Sequence, residues 1–130
     1  MTTSDVPAHA QFANELWTCL KHTTKHILGS AGSGTLGVPD AMAQIELGAL
    51  VAGGREALQK RPVFSVLSCP IAPLSFETGS VEAQIEYARA GIPVIGMSMC
   101  MGGVTAPVTL AGTIVSLNAE ALASLVITQT

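Results

Sequence analysis

Three short segments of this 130-residue chain hold the side chains with chemistry to offer. In the first, residues 97–105 read MSMCMGGVT, so Met97, Met99 and Met101 alternate with Ser98 and Cys100. In extended backbone a period of two puts the thioethers on one face and the hydroxyl and thiol on the other. Methionine is flexible and polarizable, which suits the wall of an apolar pocket as well as it suits core filling. Cys100 is a nucleophile only as a thiolate, and activation needs a nearby base or cation. The histidines are His9, His22 and His26. His26 falls in a strand candidate and reads as a structural histidine with its ring nitrogens engaged. In the second segment, residues 68–77, Pro70 and Pro73 stiffen the backbone. Ile71 offers apolar surface and Glu77 is the one acid near a strand end. Glu77 is a base, a partner for a cationic ligand, or simply an acid at the positive end of the next helix. The third segment, residues 29–34, reads GSAGSG. Its spacing is G-x-x-G-x-G, and no acid ends the following strand at Leu67-Ser68, so it reads as a mobile connection rather than a dinucleotide loop. No metal-ligand spacing occurs. The candidate substrate-binding residues are therefore Pro70, Ile71, Glu77, Met99, Cys100 and Met101, and no residue is assigned a catalytic role.

The elements that must position these loops follow a strand-then-helix pattern. Asp5 is placed to cap a first helix, with Phe12, Leu16, Cys19 and Leu20 at helical spacing. A short strand is predicted over 25–28, and Pro39 opens a helix that runs to about residue 51. A polar turn is predicted from there to Arg61. Strands are predicted over 62–67 and 93–97, each opened by a proline, where the missing N–H costs no ladder bond. Pro62 and Pro93 lie about one βαβ repeat apart, roughly 30 residues. Between them, Val81, Ile85 and Ala88 form the apolar stripe of a helix that Gly91 stops. A last, apolar helix is predicted from about Val108, with Thr105 as cap and Pro107 in the first turn. It is apolar on nearly all sides, which predicts burial in a larger body. The resulting fold class is α/β: about three parallel β-α units after an N-terminal helix. Three parallel strands form a small open sheet or part of a (β/α)8 TIM barrel, and in both arrangements function gathers at the C-terminal strand ends. The low charge and the ending at Thr130 favour a fragment of a single barrel domain.

Composition excludes several function classes. Charged residues make up 12% of the chain, about half the usual share, so much of its surface should be covered by something else. The net charge of −3, without a basic cluster, argues against nucleic acid. Three cysteines with no C-x-x-C pair point to a reducing, cytoplasmic setting. No signal peptide is recognisable at the start. Residues 90–119 carry no charge, long enough to raise the question of a membrane span around 92–117. Pro93, Gly96, Gly102, Gly103 and Pro107 interrupt it, so a buried strand feeding a buried helix is the reading adopted, with no membrane.

Three runs carry a likeness to a known family: CPIAPLSF (Cys69–Phe76), AGIPVIGMSMCMGGVTAPVTLAG (Ala90–Gly112) and NAEALA from Asn118. From about residue 55 onward the chain resembles the trimethylamine:corrinoid methyltransferase family. The resemblance implies a (β/α)8 barrel that transfers a methyl group from a methylated amine, trimethylamine or a quaternary amine such as glycine betaine, to the cobalt of a separate corrinoid protein. It implies pyrrolysine, supplied by an in-frame amber codon, in trimethylamine-using members, at a position expected beyond Thr130. It also implies a corrinoid carried by a partner protein rather than bound directly, a homo-oligomer in the full-length form, and a fragment inactive alone. A methylammonium group is apolar at its rim and cationic at its centre, which suits an apolar pocket with sparse polar groups. The competing reading is a non-enzymatic open α/β module acting through self-association.

Overall fold

A computed structural model describes residues 5–32 and 36–129. After a turn of 3-10 helix at Ala8–Ala10 the elements run α1 (Gln11–His22), β1 (Ile27–Ser30), α2 (Gly37–Ala52), α3 (Arg55–Lys60), β2 (Phe64–Ser68), α4 (Thr78–Arg89), β3 (Val94–Gly96) and α5 (Leu110–Gln129). The three strands form one parallel sheet in the order β1-β2-β3, with Ile27 opposite Phe64 and Val66 opposite Val94. Helix α2 packs on α4, and α4 packs on α5. The helices therefore cover one face of the sheet in sequence order, as in a singly wound sheet.

The strand period decides which side chains meet those helices. Phe64 and Val66 point toward them and are fully buried. Gly48 of α2 lies flat against Phe64, where an added Cβ would come 2.6 Å from the ring. The Tyr87 ring of α4 meets Phe64 edge-on at 6.5 Å between centroids. Ala41, Ile45, Leu58, Ala83 and Ile92 complete this core. On the opposite face Leu28 and Ile95 remain exposed. Helix α5 inverts the ordinary pattern: its buried residues are the polar Glu120 and Ser124, while Leu110, Ile114, Val115, Leu122, Leu125 and Val126 are exposed.

Several predicted boundaries change. The first strand lies at Ile27–Ser30, not 25–28, because Gly29 and Ser30 extend the ladder opposite Val66 and Leu67. Gly29 and Ser30 of the glycine-rich segment are thus strand, and Ser33 and Gly34 lie outside the described residues. The polar turn after Gly54 contains α3, with Leu58 buried on one side. The last helix starts at Leu110, and its cap is Thr109 rather than Thr105: the Gly112 amide donates to Thr109 Oγ1 at 3.2 Å. No continuous helix spans 92–117, since β3 and a loop occupy its first half. Leu110–Gln129 is by itself long and apolar enough to cross a bilayer.

Candidate functional site

The loops after β2 and β3 leave the C-terminal edge of the sheet side by side. The β2 loop folds into a tight turn closed by reciprocal backbone bonds, Ile71 N–H to Ser75 C=O at 2.7 Å and Ser75 N–H to Ile71 C=O at 3.1 Å. Within it Ala72-Pro73 is cis and Leu74 sits at φ 51°, in the left-handed region that costs a non-glycine residue roughly 1–2 kcal/mol. The β3 loop closes on itself through the Met101 carbonyl, which accepts from the amides of Val104, Thr105 and Ala106, each at 3.0 Å. Gly103 at φ +81° makes that turn possible. Thr105, the predicted helix cap, works inside the loop instead, accepting from the Met101 amide at 2.9 Å.

One side chain joins the two loops. Glu120, 1% exposed on α5, accepts from the Leu74 amide through Oε1 at 2.8 Å and from the Ser98 hydroxyl through Oε2 at 2.6 Å. The Cys100 side chain is a third hydrogen-bond partner. Burial pushes the carboxyl upward, but the bonds from Ser98, Leu74 and Cys100 outweigh it and hold Glu120 below the usual glutamate range. The Leu74 amide that Glu120 captures belongs to the strained residue, so the clamp offsets the backbone strain of that turn. One turn later Ser124 donates to Gln84 Oε1 at 3.1 Å and abuts Gly96, the last residue of β3. That close contact fixes the height of Glu120 against the sheet.

The sequence-predicted residues distribute around this clamp. The alternation at 97–101 holds: Met97, Met99 and Met101 are exposed, the last two by 56% and 55%, while Ser98 and Cys100 are half-buried. Cys100 therefore belongs to the supporting network, with its amide donating to Ser98 Oγ at 3.3 Å and its thiol toward Glu120. Ile71 is exposed beside Leu74, and Pro70 is buried at the base of the turn. Glu77 is the residue preceding α4, half-buried, its carbonyl accepting from the Val81 amide at 3.0 Å. Its side chain makes no capping bond. His26 is engaged as expected: Nδ1 donates to the Pro62 carbonyl at 3.1 Å and Nε2 lies 3.0 Å from Ser65 Oγ. It precedes β1, at the end of the sheet opposite Cys100, so the two form no catalytic pair. Among the described residues no His/Cys/Asp/Glu group is arranged to hold a metal ion.

Glu120 is the residue the sequence reading missed. Its signal was present: it is the one charge between residue 90 and the end of the chain, set in an apolar helix. A lone charge in such surroundings needs partners, because burial without them is costly.

A family model described as trimethylamine methyltransferase (MTTB) matches residues 1–130. A trimethylamine methyltransferase of Desulfitobacterium hafniense is 42% identical over 108 residues, which is 83% of this chain and 21% of that protein. One from Methanosarcina barkeri is 38% identical over 122 residues, 92% of this chain and 24% of its own length. A glycine betaine methyltransferase of Desulfitobacterium hafniense is 33% identical over 125 residues, 96% of this chain and 25% of that protein. The chain spans about a fifth to a quarter of the length of these relatives. By the match over residues 1–130, this chain belongs to the trimethylamine methyltransferase family.

Proposed function

We propose that this chain forms one arc of a (β/α)8 barrel, in a cytoplasmic methyltransferase that moves a methyl group from a methylated amine to a corrinoid protein. The observation that carries this reading is the pairing of the β2 and β3 loops over Glu120. They form an apolar rim of Ile71, Leu74, Met97, Met99 and Met101 backed by one ionised carboxylate. A methylammonium ion asks for that combination, since its surface is methyl groups and its centre is a charge. The singly wound sheet supports the barrel arc, because helices lie on one face in strand order and the other face stays open.

In this reading Ile71, Met99 and Met101 contact the methyl groups and Pro70 stiffens the turn that presents Ile71. Ser98 and Cys100 hold the β3 loop in place. Glu77 contributes negative potential at the same end of the sheet. The corrinoid supplies the methyl acceptor when its carrier protein docks. The amine, the corrinoid protein and a homo-oligomeric full-length form are the partners proposed.

The test is methyl transfer followed by the visible spectrum of the corrinoid. The reading predicts amine-dependent methylation of a corrinoid protein by the protein that contains this chain as its barrel segment, and none by the 130-residue chain alone with free cobalamin. Transfer from a non-amine methyl donor with indifference to amines would overturn it.

A second reading, self-association as an open α/β module, is favoured by the exposed apolar face of α5. A cooperative thermal transition from a stable homo-oligomer of the chain would support it, and a soluble monomer would remove it.

A further inference from the structure

We infer that Glu120 is the positioning residue of the amine site, fixing both loops in one arrangement and supplying the buried counter-charge for a cationic ligand. This deepens the methylated-amine reading and rests on it. Three observations carry it. First, Glu120 touches both loops at once, through the Leu74 amide and the Ser98 hydroxyl, although Leu74 and Ser98 are far apart in sequence. Second, it is buried on a helix whose exposed residues are mostly apolar, so its placement is not a solvated surface charge. Third, among the described residues its partners are hydrogen-bond donors without formal charge, and neither of the two ion pairs, Arg55–Glu46 and Arg89–Glu86, involves it. A carboxylate satisfied by dipoles alone keeps its full negative charge and projects it through the loops it holds. Glu77, the acid singled out from the sequence, makes no side-chain bond to either loop.

Glu120 therefore acts through Leu74 and Ser98 rather than by touching substrate. Removal of its charge with the side-chain shape retained should separate the electrostatic role from the structural one. The Glu120→Gln variant keeps the volume and one carbonyl acceptor, and Ser98→Ala removes the hydroxyl's bonds to Glu120 and to the Cys100 amide while leaving the charge in place.

The experiment is calorimetric titration of the 130-residue chain with tetramethylammonium and with its uncharged near-isostere tert-butanol, alongside thiol labelling of Cys69 and Cys100. The expected result for Glu120→Gln is roughly tenfold weaker binding of the cation, the loss expected for a unit charge acting over about 12 Å at an effective dielectric near 20, and unchanged affinity for the neutral probe. Labelling of Cys100 should accelerate several-fold while that of exposed Cys69 stays constant. Ser98→Ala should speed Cys100 labelling and retain preference for the cation. Equal loss of both probes in Glu120→Gln, or cation binding as in the wild type, would overturn the inference and leave the amine reading standing. A wild-type chain that prefers tert-butanol, or binds neither probe, would overturn the amine reading of this site along with it.

Discussion

Replacing Gly96 by alanine tests whether α5 is seated on the sheet as described, and with it the position of Glu120. A Cβ on Gly96 would lie 2.5 Å from Ser124 Oγ and 2.7 Å from Ser124 Cβ. Comfortable carbon contacts lie at about 3.5–4.0 Å, so helix or strand must yield by about 1 Å. Overpacking of that kind costs about 1–3 kcal/mol. Displacing Ser124 also endangers its bond to Gln84, worth about 0.5–1.5 kcal/mol net. Against this, alanine in place of glycine in a strand gains about 0.5–1 kcal/mol. The balance is a loss of about 1–3 kcal/mol. In urea unfolding of the chain this moves the midpoint down by on the order of 1 M with the slope unchanged. Gly29→Ala is the control: its Cβ would meet Ser65 O at 3.7 Å and Gln44 Oε1 at 3.9 Å, ordinary contacts, so the midpoint should hold or rise by the same strand gain of about 0.5–1 kcal/mol. Ser124→Gly should suppress the Gly96→Ala defect, with a coupling of about 1 kcal/mol or more between the two sites. If Gly96→Ala costs no more than Gly29→Ala, or if Ser124→Gly adds to it independently, α5 does not pack on β3 as the structure has it.

Other outcomes follow from the same geometry. Glu120→Ala strands the Leu74 amide and Ser98 hydroxyl and should destabilise the chain by about 2–4 kcal/mol in urea unfolding. The Glu120 carboxyl is held below its ordinary value of 4.5, so its stabilisation is present above that pH and is lost as the pH falls toward the lower folded value. The stability difference between wild type and Glu120→Gln should accordingly shrink below about pH 4.5, and a difference that grows with acid would reverse the sign of the argument. Phe64→Ala empties a fully buried site against Tyr87 and should cost about 3–5 kcal/mol, read by thermal or urea unfolding. Met99→Asp should impair amine binding far more than the exposed Glu82→Gln, and equal effects would take the β3 loop out of the pocket.

Much of the framework was legible in the residues. Pro62 and Pro93 mark the strands at Phe64–Ser68 and Val94–Gly96, and the Val81-Ile85-Ala88 stripe marks α4. These elements follow local rules, strand openers without an N–H and a period of 3.6. The misses arise where tertiary contacts override such rules. Gly29 and Ser30 look like loop and become strand because Val66 and Leu67 supply a ladder partner. α3 is too short to show a period, and one buried residue, Leu58, seats it. Thr105 and Thr109 both suit a helix cap, and the closed turn on the Met101 carbonyl decides for Thr109. At the site, the alternation of methionines with Ser98 and Cys100 was readable because it depends on a period of two. The Glu120 clamp was not, since it joins residues 46 and 22 positions away.

The measurement that bears most directly on the site is a methyl-region NMR titration of the chain labelled at methionine methyl carbons, with trimethylammonium as the ligand. The chain has five methionines, of which Met97, Met99 and Met101 stand on the β3 rim and Met42 lies on α2. The account predicts saturable shifts of the three rim signals with Met42 unmoved. Shifts at Met42 with the rim signals unchanged would contradict it.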